Sequence, residues 1–152
     1  MVDIVHRIGI KSPIEKVYNG IASLNGLANW WTEEVKGSDK LGEKIEFYFR
    51  TKTGDLLGKM VMQVEELNHS KDVRWKCVEG PAEWIDTDIT FELSEQDNQT
   101  ILIFGHRHWR EAVEGMAHCS MKWATFLLSL REYLEAGKGK PSPNDLKIDN
   151  WN

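Results

Sequence analysis

The first residues alternate. Ile4, His6, Ile8 and Ile10 fall on one side of residues 3–11, and Val5, Arg7 and Gly9 on the other, which is the two-residue period of a strand. The next stretch, SPIEKVYNGI (12–21), changes to a helical period with Val17, Tyr18 and Ile21 as its buried stripe. Ser12 is placed to cap this helix, Pro13 suits the first helical position, and Glu15 lies three residues after the cap. Asn25-Gly26 should end it, and LANWW (27–31) should form a second short helical turn.

From residue 43 onward the pattern is mainly that of strands. In 43–49, Ile45, Phe47 and Phe49 oppose Glu46 and Tyr48. Thr53-Gly54-Asp55 turns the chain into 56–67, and 72–79 follows. After Gly80-Pro81, residues 83–93 set Ile85, Thr87, Ile89, Phe91 and Leu93 against Trp84, Asp86, Asp88, Thr90 and Glu92. Residues 99–109 form the last strand, and Val35–Gly37 marks a short extra one. Strands joined by short turns imply an antiparallel meander.

Residues 111–136 return to a helical period. At 100° per residue, Glu114, His118, Lys122, Thr125, Ser129 and Glu132 share one narrow polar stripe, and most of the remaining circumference is apolar. So wide an apolar arc requires a sheet that wraps around the helix. Gly137 supplies the stop, and residues 138–152, with Pro141 and Pro143, form an extended tail.

Composition narrows the function. The chain has 152 residues, 41% hydrophobic and 28% charged, with a formal net charge of −5. Its scattered charges lack the clustered Lys and Arg that nucleic acid or an anionic membrane requires. No apolar run approaches the ~20 residues of a membrane span, and the N-terminus lacks the pattern of a signal peptide. Cys77 and Cys119, far apart in sequence, read as buried thiols of a reducing compartment, so the cytoplasm is the expected location. Seven tryptophans are unusually many and call for an aromatic-lined interior.

Four segments carry a family resemblance: SPIEKVYNGI, GLANWWT (26–32), FGHRHW (104–109) and HCSMKWATFLLSLREYLEAGKGKPSPND (118–145). With the order of elements, they make the chain resemble the START-like (SRPBCC, birch-pollen-allergen-like) superfamily. The most similar branch is that of the activator of the heat-shock-protein-90 ATPase. The resemblance implies an α+β helix-grip fold as a single domain over 1–152. About seven antiparallel strands curve around a long C-terminal helix, with two short helices after strand one. It also implies a deep apolar cavity between helix and sheet, used by members for lipids, polyketides and other hydrophobic molecules.

On that basis the expected ligand walls are Trp30, Phe47, Phe49, Met60, Met62, Trp75, Phe91 and Phe104 from the first two-thirds of the chain. Met116, Trp123 and Leu127 come from the long helix. Aromatic rings and methionines give large, deformable apolar walls. Thr87, His106 and Ser120 would supply polar handles, since apolar sites carry a few placed polar groups. His106 faces inward on the last strand and His108 lies at the cavity mouth. Arg131 falls among the apolar residues of the helix near its end. A metal centre needs three or four ligands, and the two histidines find no third, so no metal and no cofactor is expected. No nucleophile elbow occurs, and no catalytic residue is assigned. The leading reading is non-catalytic binding of a small hydrophobic or aromatic molecule. One alternative is an enzyme with His106 as acid or base. Another is a homodimeric or chaperone-linked module displaying Trp31, Trp109 or Trp151. Of these partners the chaperone has the least support, because no separate N-terminal chaperone-binding domain is recognisable.

Overall fold

The structure, a computed structural model, describes residues 1–152. In chain order the elements are β1 (Val2–Ile10), α1 (Ile14–Ala22), α2 (Leu24–Ala28), β2 (Glu34–Gly37), β3 (Lys44–Arg50) and β4 (Leu56–Asn68). Then come β5 (Asp72–Glu79), a single 3-10 turn (Ala82–Trp84), β6 (Asp88–Gln96), β7 (Gln99–Trp109) and α3 (Glu114–Ala136). All seven strands form one antiparallel sheet in the order β1-β7-β6-β5-β4-β3-β2. β2 to β7 are a meander, and β1 closes onto β7, with Ile4 opposite His106 and His6 opposite Phe104. Register shifts interrupt the β4–β5 ladder between Val61 and Met62 and between Val64 and Glu66, as bulges do. The curved sheet grips α3 around one core of 26 residues. No helix is long and apolar enough to cross a membrane.

Four local expectations are corrected. α1 starts at Ile14 with Pro13 as its N-cap and no side-chain cap bond. Ser12 instead presents its carbonyl to Thr100, whose hydroxyl donates at 2.7 Å. The break between α1 and α2 comes at Ser23, not at Asn25-Gly26. Ser23 Oγ accepts from the Gly26 N–H at 3.0 Å, so α2 covers 24–28 and the two tryptophans follow it.

The strand expected from residue 83 starts at Asp88. Asp86, with φ +68°, breaks the alternation, and Trp84, expected on the outer face, is 5% exposed and faces the core.

The polar stripe expected on α3 is not its solvent face. Lys122 and Ser129 are buried, while Met121 (57%) and Leu128 (48%) are exposed. The cause is residues 138–152, which form a strap along α3 and not a free extension. Ser142 N–H donates to Trp31 O at 2.8 Å, and Glu33 N–H to Ser142 O at 3.1 Å. Ser129 Oγ donates to Trp30 O at 2.9 Å and accepts the Lys140 N–H at 2.7 Å. The strap satisfies the polar stripe, and the remaining face of the helix is left to water.

Candidate functional site

β3, β5, β6 and β7 each send alternate side chains toward α3, and these residues are large and flat. Phe47, Trp75, Phe91 and Phe104 are each at most 1% exposed. Their rings touch in sequence: Phe47–Trp75 at 5.7 Å, Trp75–Phe91 at 5.2 Å and Phe91–Phe104 at 5.4 Å between centroids. α3 adds Trp123, 4.5 Å from Phe104, and the segment after α2 adds Trp31, 4.9 Å from Trp123 and 4.3 Å from Phe47. The middle of the space between helix and sheet is therefore filled by the protein's own aromatics.

His106 sits in this filled region, fully buried. Trp123 Nε1–H can only donate, and it does so to His106 Nδ1 at 3.1 Å. The proton of the neutral ring then lies on Nε2, which donates to Thr87 Oγ1 at 2.8 Å, and the Thr87 hydroxyl donates in turn to Trp84 O at 2.6 Å. Each polar atom in this relay has a partner, and burial pushes the imidazole down to about 3. The ring is neutral at physiological pH, with both nitrogens engaged. The alternative role of His106 as acid or base thus lacks a free nitrogen. His108 has φ +70°, which turns it out of the inner face. Its side chain is 51% exposed and its Nδ1 is 2.7 Å from Asp88 Oδ2. It is not at the cavity mouth. The same twist brings Trp109 inward to 1% exposure, and Trp31 is at 2%, so neither is a surface tryptophan. Trp151, at 53%, is exposed.

Space remains at one end of the grip, between the N-terminal half of α3, the β3–β4 hairpin, the turn at 81–84 and the strap. It is a cleft of about 270 Å³. Trp31, Phe49, Met60, Trp84, Trp123 and Phe126 make its apolar wall, with Cys119 beside them. Burial raises the Cys119 thiol to about 11, so it stays protonated and acts as part of that wall. The polar side is Lys122 with Asp145, Ser142 and Asn152, and His118, Glu83 and Trp151 complete the lining. Lys122 Nζ donates to Asp145 and, at 2.8 Å, to Leu146 O. Asp145 also accepts from Lys147 at 3.0 Å and from Asn152 at 3.2 Å. Burial alone would raise the Asp145 pKa, but the hydrogen bonds and charges of Lys122 and Lys147 outweigh it and hold the carboxyl below its usual range.

Of the residues expected to line a ligand site, Phe49, Met60 and Trp123 meet at this cleft. Phe47, Trp75, Phe91 and Phe104 belong to the filled region, as do Met62 and Leu127, at 0% and 2% exposure. Thr87 and His106 are in the relay. Trp30 packs edge-on against Phe91 in the filled region, with centroids 6.3 Å apart, and its Nε1–H donates to Gly20 O at 2.8 Å. Ser120 faces β1, where His6 Nε2 lies 3.1 Å from its carbonyl and 3.3 Å from its hydroxyl. Met116 packs half-buried against the core, and Arg131 is exposed. The sequence reading missed Trp84, Cys119, Phe126 and the strap residues as cleft wall. A tryptophan so near the chain end, Trp151, was the available signal that the tail packs on something.

Comparison with known proteins agrees with this architecture. The family model described as activator of Hsp90 ATPase homolog 1-like protein matches residues 11–135. The solution structure of the Aha1 dimer from Colwellia psychrerythraea is 40% identical, with a TM-score of 0.78, over 91% of this chain and 100% of that one. Protein SSP2350 from Staphylococcus saprophyticus shares the fold at 17% identity and a TM-score of 0.73, over 91% and 95% of the two chains. CalU16 from Micromonospora echinospora does so at 19% and 0.74, over 97% and 74%. No curated protein matches the chain. The chain belongs to the activator of Hsp90 ATPase homolog 1-like family, and its fold is the α+β helix grip that the sequence motifs implied.

Proposed function

We propose that this domain binds a small, flat, apolar molecule in the cleft between α3, the β3–β4 hairpin and the strap. The observation that carries this reading is a gap in the packing. A core that is elsewhere closed by ring-to-ring contact leaves about 270 Å³ open, faced by Trp31, Trp84 and Trp123. That is just below the roughly 300–1,000 Å³ typical of ligand sites, so the occupant is a molecule of one or two rings. Lys122, Ser142 and Asn152 place polar atoms along one side, where a hydroxyl or carbonyl on the ligand could be oriented. The unpaired Cys77 and Cys119 fit a reducing cytoplasm.

The test is thermal unfolding with a panel of one- and two-ring aromatics (indoles, naphthols and monocyclic aromatic polyketides), beside native mass spectrometry of the purified protein. A ligand at one hundred times its Kd should add about 2.7 kcal/mol. Met60→Trp, which closes the cleft from β4, should abolish that gain without lowering the unliganded Tm by much. No stabilisation by any compound, and no copurifying molecule, would overturn the reading.

A second reading is a homodimer. It is favoured by the exposed Met121 and Leu128 on α3, and by the Colwellia psychrerythraea relative, which is described as a dimer.

A further inference from the structure

Single exposed apolar residues need no explanation; their spacing can. Along the solvent side of α3 lie Glu114, Ala117, Met121, Ala124, Leu128 and Arg131. The intervals are three, four, three, four and three residues, the a/d rhythm of a helix built to pack against another helix. Glu114, Ala117, Met121, Leu128 and Arg131 are exposed and Ala124 is half-buried. The strap runs beside this line without burying it: Ile148–Trp151 flank Glu114, Ala117 and Met121, and residues 144–147 flank Leu128, while its hydrogen bonds go to Lys122 and Ser129.

The line is also complementary to its own reverse. A two-fold axis placed midway between positions 122 and 123 sets two helices antiparallel. It then brings Met121 against Ala124 of the second copy, Ala117 against Leu128, and Glu114 against Arg131. Each large side chain meets an alanine, which permits an interaxial distance of about 8–10 Å. Each charge meets its opposite at the rim, where it favours one register over its neighbours. A single axis satisfies all three pairings, as an isologous interface requires.

Building on the homodimer reading, we propose that the partner of this face is a second copy of the chain, joined through an antiparallel α3–α3 seam centred between residues 122 and 123. The cleft lies on another side of α3, so both copies keep it open.

Light scattering and sedimentation of the full chain over a concentration series test this directly. The wild type should be a dimer, and a monomer throughout would overturn the homodimer reading itself. Met121→Glu enters the seam twice by symmetry and should raise the dimer Kd by about 100-fold or more. Both Met121 and Leu128 are solvent-exposed, so circular dichroism should report an intact fold. Glu114→Arg alone and Arg131→Glu alone should each weaken the dimer about tenfold, and the double exchange should restore most of it. Leu57→Glu, exposed at 69% but far from the seam, should leave the Kd unchanged. A dimer insensitive to Met121→Glu, or charge reversals that fail to rescue each other, would overturn the seam while the homodimer stood.

Discussion

The space between α3 and the sheet has two regions made from similar residues, and they end in opposite states. In one, Phe47, Trp75, Phe91, Phe104 and Trp123 close on each other and the polar groups His106 and Thr87 are consumed in a relay. In the other, Phe49, Met60, Trp84 and Phe126 face a cleft, and the polar groups Lys122 and Asp145 reach across from helix to strap. The difference lies in what forms the outer wall. The closed region is bounded by strands whose ladders hold Phe47, Trp75, Phe91 and Phe104 in register. The open one is bounded partly by irregular chain attached through a few hydrogen bonds and one buried ion pair. A wall of that kind opens locally at lower cost than a sheet does, which suits the entry of a ligand.

The comparison breaks most directly by truncation. Trp75→Ala removes a fully buried ring from the closed region and should cost about 3–5 kcal/mol of unfolding free energy in urea titration. Met60→Ala, in the half-buried cleft wall, should cost about 1–2 kcal/mol, because its side chain lacks neighbours on one side. Equal costs would erase the distinction between a packed and an open region.

The strap can be tested by its ion pair. Lys122→Met leaves Asp145 buried at 2% side-chain exposure without its principal partner, a loss expected to be about 3 kcal/mol. Lys147 and Asn152 still contact Asp145, which should keep the loss near the lower end for a broken buried pair. The double variant Lys122→Met with Asp145→Leu should recover a good part of it. Limited proteolysis should find new cleavage within 138–152 in the single variant. If the strap stayed as protected as in the wild type, it would not be the weaker wall.

Sequence alone conveyed the framework because alternation and helical period are local properties. The inward positions of Phe47, Trp75 and Phe91 follow from period two once the strands are located; on the last strand both faces are apolar, and the inward placing of Phe104 and His106 rests on the family resemblance and on the easier exposure of Arg107. The departures all occur where a distant group or a single dihedral decides. Asp86 and His108, both at positive φ, invert the faces of Trp84 and Trp109 relative to simple alternation. Asp and His are residue types enriched at positive φ, but that preference is too weak to single out these two positions. The polar stripe of α3 was real, but polarity cannot reveal whether it meets water or a strap, and Asp145 lies 23 residues from Lys122. Whether aromatics line a hollow or fill it depends on ring-to-ring distances that no periodicity encodes.

A further effect concerns the closed region's buried histidine. His106 is held neutral with a pKa of about 3 in the folded protein, whereas the unfolded chain takes up a proton near the ordinary value of about 6.5. As pH falls below 6.5, the unfolded state binds the proton and the folded state does not. Stability is therefore fully present above about 6.5 and declines as pH falls toward 3, with a slope approaching 1.4 kcal/mol per pH unit. Between pH 6.5 and 5 the loss should be about 2 kcal/mol, in a window above the ordinary carboxylate range, so Asp145 adds little there. Urea titrations at half-unit intervals measure it, with His106→Gln as the comparison. Whatever that variant's absolute stability, its slope over the same window should be flatter by most of this amount. An unchanged slope would mean that His106 takes up its proton in the folded state, and that the relay through Trp123 and Thr87 is looser than its distances imply.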